Sequence, residues 1–124
     1  MANLAGVLLL GGTAEEGRRM LEACLRHPAL QRPTADAAEV WFYQVVHGEA
    51  DRRPWALRNL RRLIEAGVRS PGFQLGPHVA LARERGHPWA AWLGPLAAVL
   101  TGDAEPCTLD GWDAWGAARS DPVH

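Results

Sequence analysis

The sequence of 124 residues has no lysine, only two cysteines and no long apolar run. Cys24 and Cys107 belong to no CxxC pair, which argues against a disulfide framework and favours a reduced, cytoplasmic setting. No apolar stretch approaches the roughly 20 residues that a membrane-spanning helix needs. The stretch MANLAGVLLLGG has no basic residue ahead of its short apolar run, so it does not resemble a secretory signal. We therefore expect a cytoplasmic protein with no membrane partner.

Residues that favour β-sheets are scarce as well. Val, Ile and Thr together number 13, whereas Ala and Leu together number 37. Ala and Leu lose little conformational freedom in a helix, while β-branched residues fit a pleated sheet better. The composition therefore favours an all-α fold, and a chain of this length can bury a core without a metal or a disulfide. All 13 basic side chains are arginine, a bias that a GC-rich genome explains without reference to function.

Hydrophobic periodicity, helix caps and helix-breaking residues predict six or seven helices in the chain. Thr34 is a favourable N-cap, and Gly48 and Gly67 are typical of the positions where helices stop. Pro95 is expected to kink or divide the last long helix, because proline lacks the N–H that the preceding turn needs. The clearest helices are predicted at residues 13–27, 35–47, 51–66, 77–85 and 89–100.

Three further segments need separate interpretation. Residues 4–10 form a short apolar run that fits either a helix or a strand. The run VWFYQVV at residues 40–46 is strand-like in composition, but its capped, Ala-rich start favours a helix. Residues 108–118 predict a short final helix that carries two tryptophans. We expect one helical-repeat domain over residues 1–118, followed by a flexible tail over residues 119–124.

Glycines follow the predicted helices at a regular interval. Gly12, Gly48 and Gly86 lie 36 and 38 residues apart, and helix–turn–helix units with such a period are typical of α-solenoids. The first unit, LLLGGTAEEGRRMLEACLRHP, resembles the tetratricopeptide repeat, because small and large residues alternate at that family's positions. In the three units these positions hold Gly12, Gly17, Leu21 and Cys24, then Gly48, Ala56, Leu60 and Leu63 with three extra residues in the turn, then Gly86, Ala91, Pro95 and Ala98.

The resemblance extends over roughly residues 4–102 and implies antiparallel helix pairs that stack as an α-solenoid of about three hairpins. Tetratricopeptide repeats bind a peptide or a partner protein in the groove that the first helix of each unit lines. The resemblance therefore implies a non-catalytic interaction module, whose partner is a protein, a peptide or a second copy of the chain. The residues predicted to line this groove are Trp41, Tyr43, Gln44, His47 and His78, with Arg58 and Arg62 at the rim to attract an acidic partner.

Gly11, Gly12 and Thr13 offer an alternative interpretation. A strand, a glycine loop and a helix start can together cradle a phosphate, so a small anion- or nucleotide-binding protein is the second candidate function. The complete GxGxxG fingerprint is missing and later segments predict no parallel sheet. We therefore favour a simple turn and helix cap at this loop. Circular dichroism separates the two candidates, because a nucleotide-binding sheet would contribute strand signal.

No motif in the sequence predicts catalysis, a cofactor or a metal. The five histidines include no pair at the helical spacing of zinc enzymes. His47 with Glu39, or His78 with a carboxylate, would form a general-base pair only if the fold brought them together. The arginine-rich segment 52–69 lies in a chain of net charge -1, which favours a solvated helix face over a nucleic-acid surface. Six tryptophans in so short a chain lead us to expect one or two on a contact surface.

Overall fold

The computed structural model describes residues 14–106, and within this range the chain is helical with no strand. The all-α prediction is therefore confirmed for the described residues. The predicted segments 4–10 and 108–118, the Gly11-Gly12-Thr13 loop and the tail at 119–124 lie outside them. The described elements are α1 (Ala14–Arg26), α2 (Ala35–His47), α3 (Arg53–Glu65), α4 (Gly76–Glu84) and α5 (Ala90–Thr101), with 3-10 turns at Pro28–Gln31 and Ala50–Arg52.

Local hydrogen bonds explain where α2 begins and where α3 ends. Thr34 accepts a hydrogen bond from the Ala37 amide at 3.2 Å and so caps α2, as predicted. The end of α3 is fixed by Gly67, whose φ of +94° lies in the left-handed region. The Gly67 and Val68 amides donate to the carbonyls of the last turn at 3.0 Å each. These bonds satisfy carbonyl groups that the helix itself leaves unpaired.

Helix α2 forms the centre of the fold. Every residue from Ala37 to His47 is buried, and α2 packs against each of α1, α3, α4 and α5. A helix that is surrounded in this way needs apolar side chains on all sides. This requirement accounts for the strand-like run at residues 40–46, which lies inside α2. Val40, Phe42 and Val45 fill the space between neighbouring helices rather than one face of a sheet.

The other helices bury one side each. Along α3 the five apolar residues at helical spacing are buried, as the sequence predicted, and they face α2. Helix α5 contributes Leu93, Leu96 and Leu100, which are completely buried. Each such side chain contributes about 1.5–3 kcal/mol relative to an exposed one. The five buried apolar residues of α3 mentioned above, which the sequence also predicted, are Ala56, Leu57, Leu60, Leu63 and Ile64.

Pro95 does not divide α5, which runs without interruption from Ala90 to Thr101. The prediction that the proline must kink or divide the helix is therefore wrong where it allows for a divided helix. Pro95 is exposed, so water can reach this side of the helix and hydrogen-bond the carbonyl that proline leaves without a donor. The left-handed Gly102, with φ of +87°, ends the helix.

Candidate functional site

The outer side of α3 carries the most distinctive surface in the described part of the chain. Trp55, Arg58 and Arg62 follow one another at spacings of three and four residues, so their side chains share one side of the helix. All three are exposed. Trp55 is 36% exposed, and no other large hydrophobic side chain between residues 14 and 106 is as exposed. We call these three residues the tryptophan–arginine face.

The ring of Trp55 is held in position by its neighbours. The ring of Trp41 meets it edge-on, with 4.7 Å between ring centroids and an interplanar angle of 87°. The Arg52 guanidinium lies 5.3 Å from the centroid of the Trp55 ring and forms an ion pair with Glu22 of α1. Because these contacts already restrict the ring, less conformational entropy is lost when a partner covers it.

The arginines of the segment 52–69 differ in what they contact. Arg61 forms an ion pair with Glu65 at 3.5 Å, and Arg69 donates to the carbonyls at the end of α3 at 2.7 and 3.0 Å. Arg58 and Arg62 form no ion pair with any residue between 14 and 106. Like charges four residues apart destabilise a helix by about 0.2–0.5 kcal/mol. An acidic partner at this position would remove that repulsion.

The five residues predicted to line a groove lie in the interior instead. Trp41, Tyr43, Gln44, His47 and His78 are each 8% exposed or less. The physical reason is that α2 is covered by its neighbours, so these side chains fill the core around it. The structure therefore does not support a groove lined by these five residues. The two rim arginines of the same prediction, Arg58 and Arg62, are on the surface.

His47 and His78 form a buried pair that joins α2 to α4. The distance from Nε2 of His47 to Nδ1 of His78 is 2.8 Å, and the ring of Tyr43 lies 4.7 Å from that of His78 between centroids. Burial lowers the pKa of His47 to about 3 and the pKa of His78 to about 4. For His47 the pKa is lowered further by the positive charge that His78 carries when it is protonated in acid, and by the charges of Arg85 and Arg18. Both rings are neutral at pH 7, so one nitrogen donates and the other accepts.

A second buried polar pair links α2 to the loop before α4. Ser70 donates from its hydroxyl to a Glu39 carboxylate oxygen at 2.5 Å, and its amide donates to the Leu100 carbonyl at 2.8 Å. The pKa of Glu39 is raised overall. Burial raises it most and the charge of Asp36 raises it further, and these effects outweigh the lowering by the Ser70 hydrogen bond. The sequence left open a general-base pair of His47 with Glu39. In the structure Glu39 is bonded to Ser70 and His47 is bonded to His78. The sequence could have signalled Glu39 only as a carboxylate inside an apolar helix.

These buried groups do not assemble into a metal site. No group of three or more metal-ligating side chains occurs between residues 14 and 106. None of the helices described in that range combines the length and the apolar character that crossing a bilayer requires. Comparison of the chain with protein-family models, with curated proteins and with solved structures finds no match.

Proposed function

We propose that this domain is a non-catalytic protein-interaction module that binds an acidic segment of a partner protein on the tryptophan–arginine face of α3. The observation that carries the proposal is the alignment of an exposed, pre-positioned Trp55 with two arginines, Arg58 and Arg62, that lack acidic partners in the described range. Tryptophan and arginine are enriched among the residues that dominate interface energies. Carboxylates on the partner would complement the two positive charges and speed association.

The buried polar groups support the non-catalytic part of the proposal. A general base needs access to the proton that it removes. His47 and His78 are bonded to each other inside the core, and Glu39 is bonded to Ser70. Each group therefore links two elements of the fold, and each has its hydrogen bond with another side chain of the interior.

We also propose that the helices form tetratricopeptide-like hairpins. Helix α2 packs most extensively on α3, and α4 packs on α5. The connection at residues 48–52 is short, which favours an antiparallel arrangement of α2 and α3. In this arrangement α3 is the second helix of its hairpin, and among the described elements it packs extensively only on α2 and on the turn at Ala50–Arg52. The partner would then bind outside the groove that the family uses.

The interaction is tested by selecting binders from a displayed library of random peptides. We expect the selected peptides to be enriched in Asp and Glu around an apolar residue that covers Trp55. The double variant Arg58→Glu/Arg62→Glu should lose at least about tenfold in affinity, equal to 1.4 kcal/mol, because attraction becomes repulsion. Trp55→Ala should weaken binding further, since it removes the apolar anchor.

The control is Arg32→Glu, which reverses one charge in the same way at an exposed position in the loop before α2 rather than on α3. This variant should bind the selected peptides as the unchanged protein does. Selected peptides without acidic enrichment would contradict the proposal. Binding that survives the double charge reversal would contradict it as well, provided that circular dichroism shows the variant to be helical.

A further inference from the structure

A separate cleft of about 190 Å³ opens where α1, the ends of α2 and α4 and the start of α3 come together. Three arginines line it, one from α1, one from α3 and one directly after α4. They are Arg18, Arg53 and Arg85. The residues of the tryptophan–arginine face do not line this cleft, so its function is independent of the interaction proposed above.

The cleft carries an excess of positive charge. No Asp or Glu between residues 14 and 106 lines it, and its three arginines form no ion pair with residues of that range. The C-terminal ends of α2 and α4 lie at the cleft, and each contributes about −0.5 of an elementary charge. Three guanidinium groups and the N-terminal end of α3, which contributes about +0.5, leave an excess of about 2.5 positive charges against these two helix ends. A cleft lined by side chains of one sign raises the local concentration of counter-ions, here of anions.

Arg53 also has a guanidinium nitrogen that lacks a hydrogen-bond acceptor. Its Nε is buried and has no hydrogen-bond partner among the described residues. Burial also lowers the pKa of the Arg53 guanidinium, although an arginine remains charged in proteins. A buried donor without an acceptor destabilises the folded chain. Arg53 also lines the cleft, so an anion bound there would stabilise the charge of this partly buried guanidinium.

The two histidines of the cleft are already occupied. His87 Nδ1 accepts from the Trp89 amide at 3.0 Å, so its Nε2 carries the proton and donates to the Val45 carbonyl at 3.2 Å. His47 is bonded to His78. The cleft therefore offers arginine forks as its donors, and these match the paired oxygens of phosphate or carboxylate.

We infer that this cleft binds the phosphoryl group of inorganic phosphate or of a small phosphate monoester. A phosphoryl group carries about −1.5 to −2 at neutral pH, which offsets most of the excess charge, whereas a carboxylate carries only about −1. The volume of the cleft also suits a small group such as a phosphoryl group. The cleft of about 190 Å³ is smaller than the roughly 300–1,000 Å³ of pockets that enclose whole organic ligands. The phosphoryl group is thus enclosed and any attached group extends into solvent.

The inference is tested by calorimetric titration of the whole chain with inorganic phosphate and, separately, with glycerol phosphate at constant ionic strength. Saturable binding of either compound supports the inference, and the one that binds more tightly shows whether the natural ligand is the free ion or an ester. Arg85→Gln and Arg18→Gln each remove one charge at an exposed position. Each should weaken binding about tenfold, as expected for the loss of a charge-assisted pair of hydrogen bonds.

The matched control is Arg83→Gln, an exposed arginine of α4 that does not line the cleft. This variant should bind phosphate as the unchanged protein does. Titration with acetate at the same ionic strength should give much weaker binding. The inference is overturned if neither phosphate compound binds, if acetate binds as tightly, or if the Arg85 and Arg18 variants bind as tightly as the Arg83 variant.

Discussion

At Gly48 the need for glycine comes from space rather than from backbone angle. Its φ of −73° and ψ of 173° suit any residue, but a Cβ atom at this position would overlap the backbone and side chain of Gln44. Gln44 is 2% exposed and cannot move outward. We expect Gly48→Ala to destabilise the protein by about 1–3 kcal/mol, as overpacking does. The measurement is the free energy of unfolding in urea.

Gly76 provides the control for this substitution. It has no left-handed φ, and a Cβ built there meets no atom within 4 Å. Because alanine favours helices but its Cβ is disfavoured in a helical residue directly before a proline, Gly76→Ala should change stability by less than about 1 kcal/mol. If the two variants unfold at the same urea concentration, steric overlap at Gly48 is not the reason for its glycine.

Individual exposed residues were easier to predict than individual buried ones. The exposure of Arg58 and Arg62 follows from the strong amphipathic pattern of α3, whose apolar stripe fixes the direction of every side chain. Helix α2 has no polar stripe, so its pattern gives no such direction. The sequence therefore could not show that Tyr43 and His47 point inward, or that Ser70 would reach Glu39 across a separation of 31 residues.

At the scale of the helix, boundaries were predictable because their causes are local. Thr34 caps α2 through a residue three positions along the chain, and Gly67 ends α3 within one turn. Such contacts need no knowledge of the rest of the fold. The continuity of α5 through Pro95 was not predictable in the same way. It depends on packing of Leu93 and Leu96 against the core, which stabilises the helix on both sides of the proline.

This interpretation of α5 predicts that Pro95→Ala will stabilise the protein. Alanine restores the amide that can donate to the Ala91 carbonyl and removes the steric conflict of the ring, an effect of about 3 kcal/mol in helix interiors. Loss of the rigid proline also frees the unfolded chain, which offsets about 0.4–1 kcal/mol. We expect a net gain of about 2–2.6 kcal/mol in the unfolding free energy.

Pro77 is the matched control, because it lies in the first turn of α4, where a missing amide leaves no helical bond unmade. Pro77→Ala should therefore not stabilise the protein. A Pro95→Ala variant that unfolds at the same or a lower urea concentration than the unchanged protein would show that α5 already accommodates the proline without strain.

At the scale of the whole molecule, α2 connects the other helices through polar contacts as well as apolar ones. His47 bonds His78 of α4, the Val45 carbonyl accepts from His87, and Glu39 bonds Ser70. Periodicity along one segment cannot reveal which segments surround it. The central position of α2 was therefore accessible from the sequence only as an unusual lack of polar residues, and its neighbours had to come from the structure.

The same contacts make the stability of the molecule sensitive to acid. In the unfolded chain the histidines titrate near 6.5, whereas burial lowers the pKa of His47 to about 3 and that of His78 to about 4. Burial also lowers the pKa of His87. Between these values the unfolded state binds more protons than the folded state, so stability falls as pH falls. Above pH 6.5 all three rings are neutral in both states and this contribution is fully present.

We expect the His47–His78 pair to lower the unfolding free energy by about 2.7 kcal/mol per pH unit between about pH 6.5 and 4, about 1.4 for each ring, and His87 to add to this decrease. Glu39 acts in the opposite direction, because burial raises its pKa and protonation at low pH favours the folded state. Urea unfolding across the acid range measures the slope. The double variant His47→Leu/His78→Leu removes both titrating rings without leaving one partner unpaired, so its slope should be markedly smaller. Equal slopes in the two proteins would mean that the pair is already protonated or exposed in the folded state.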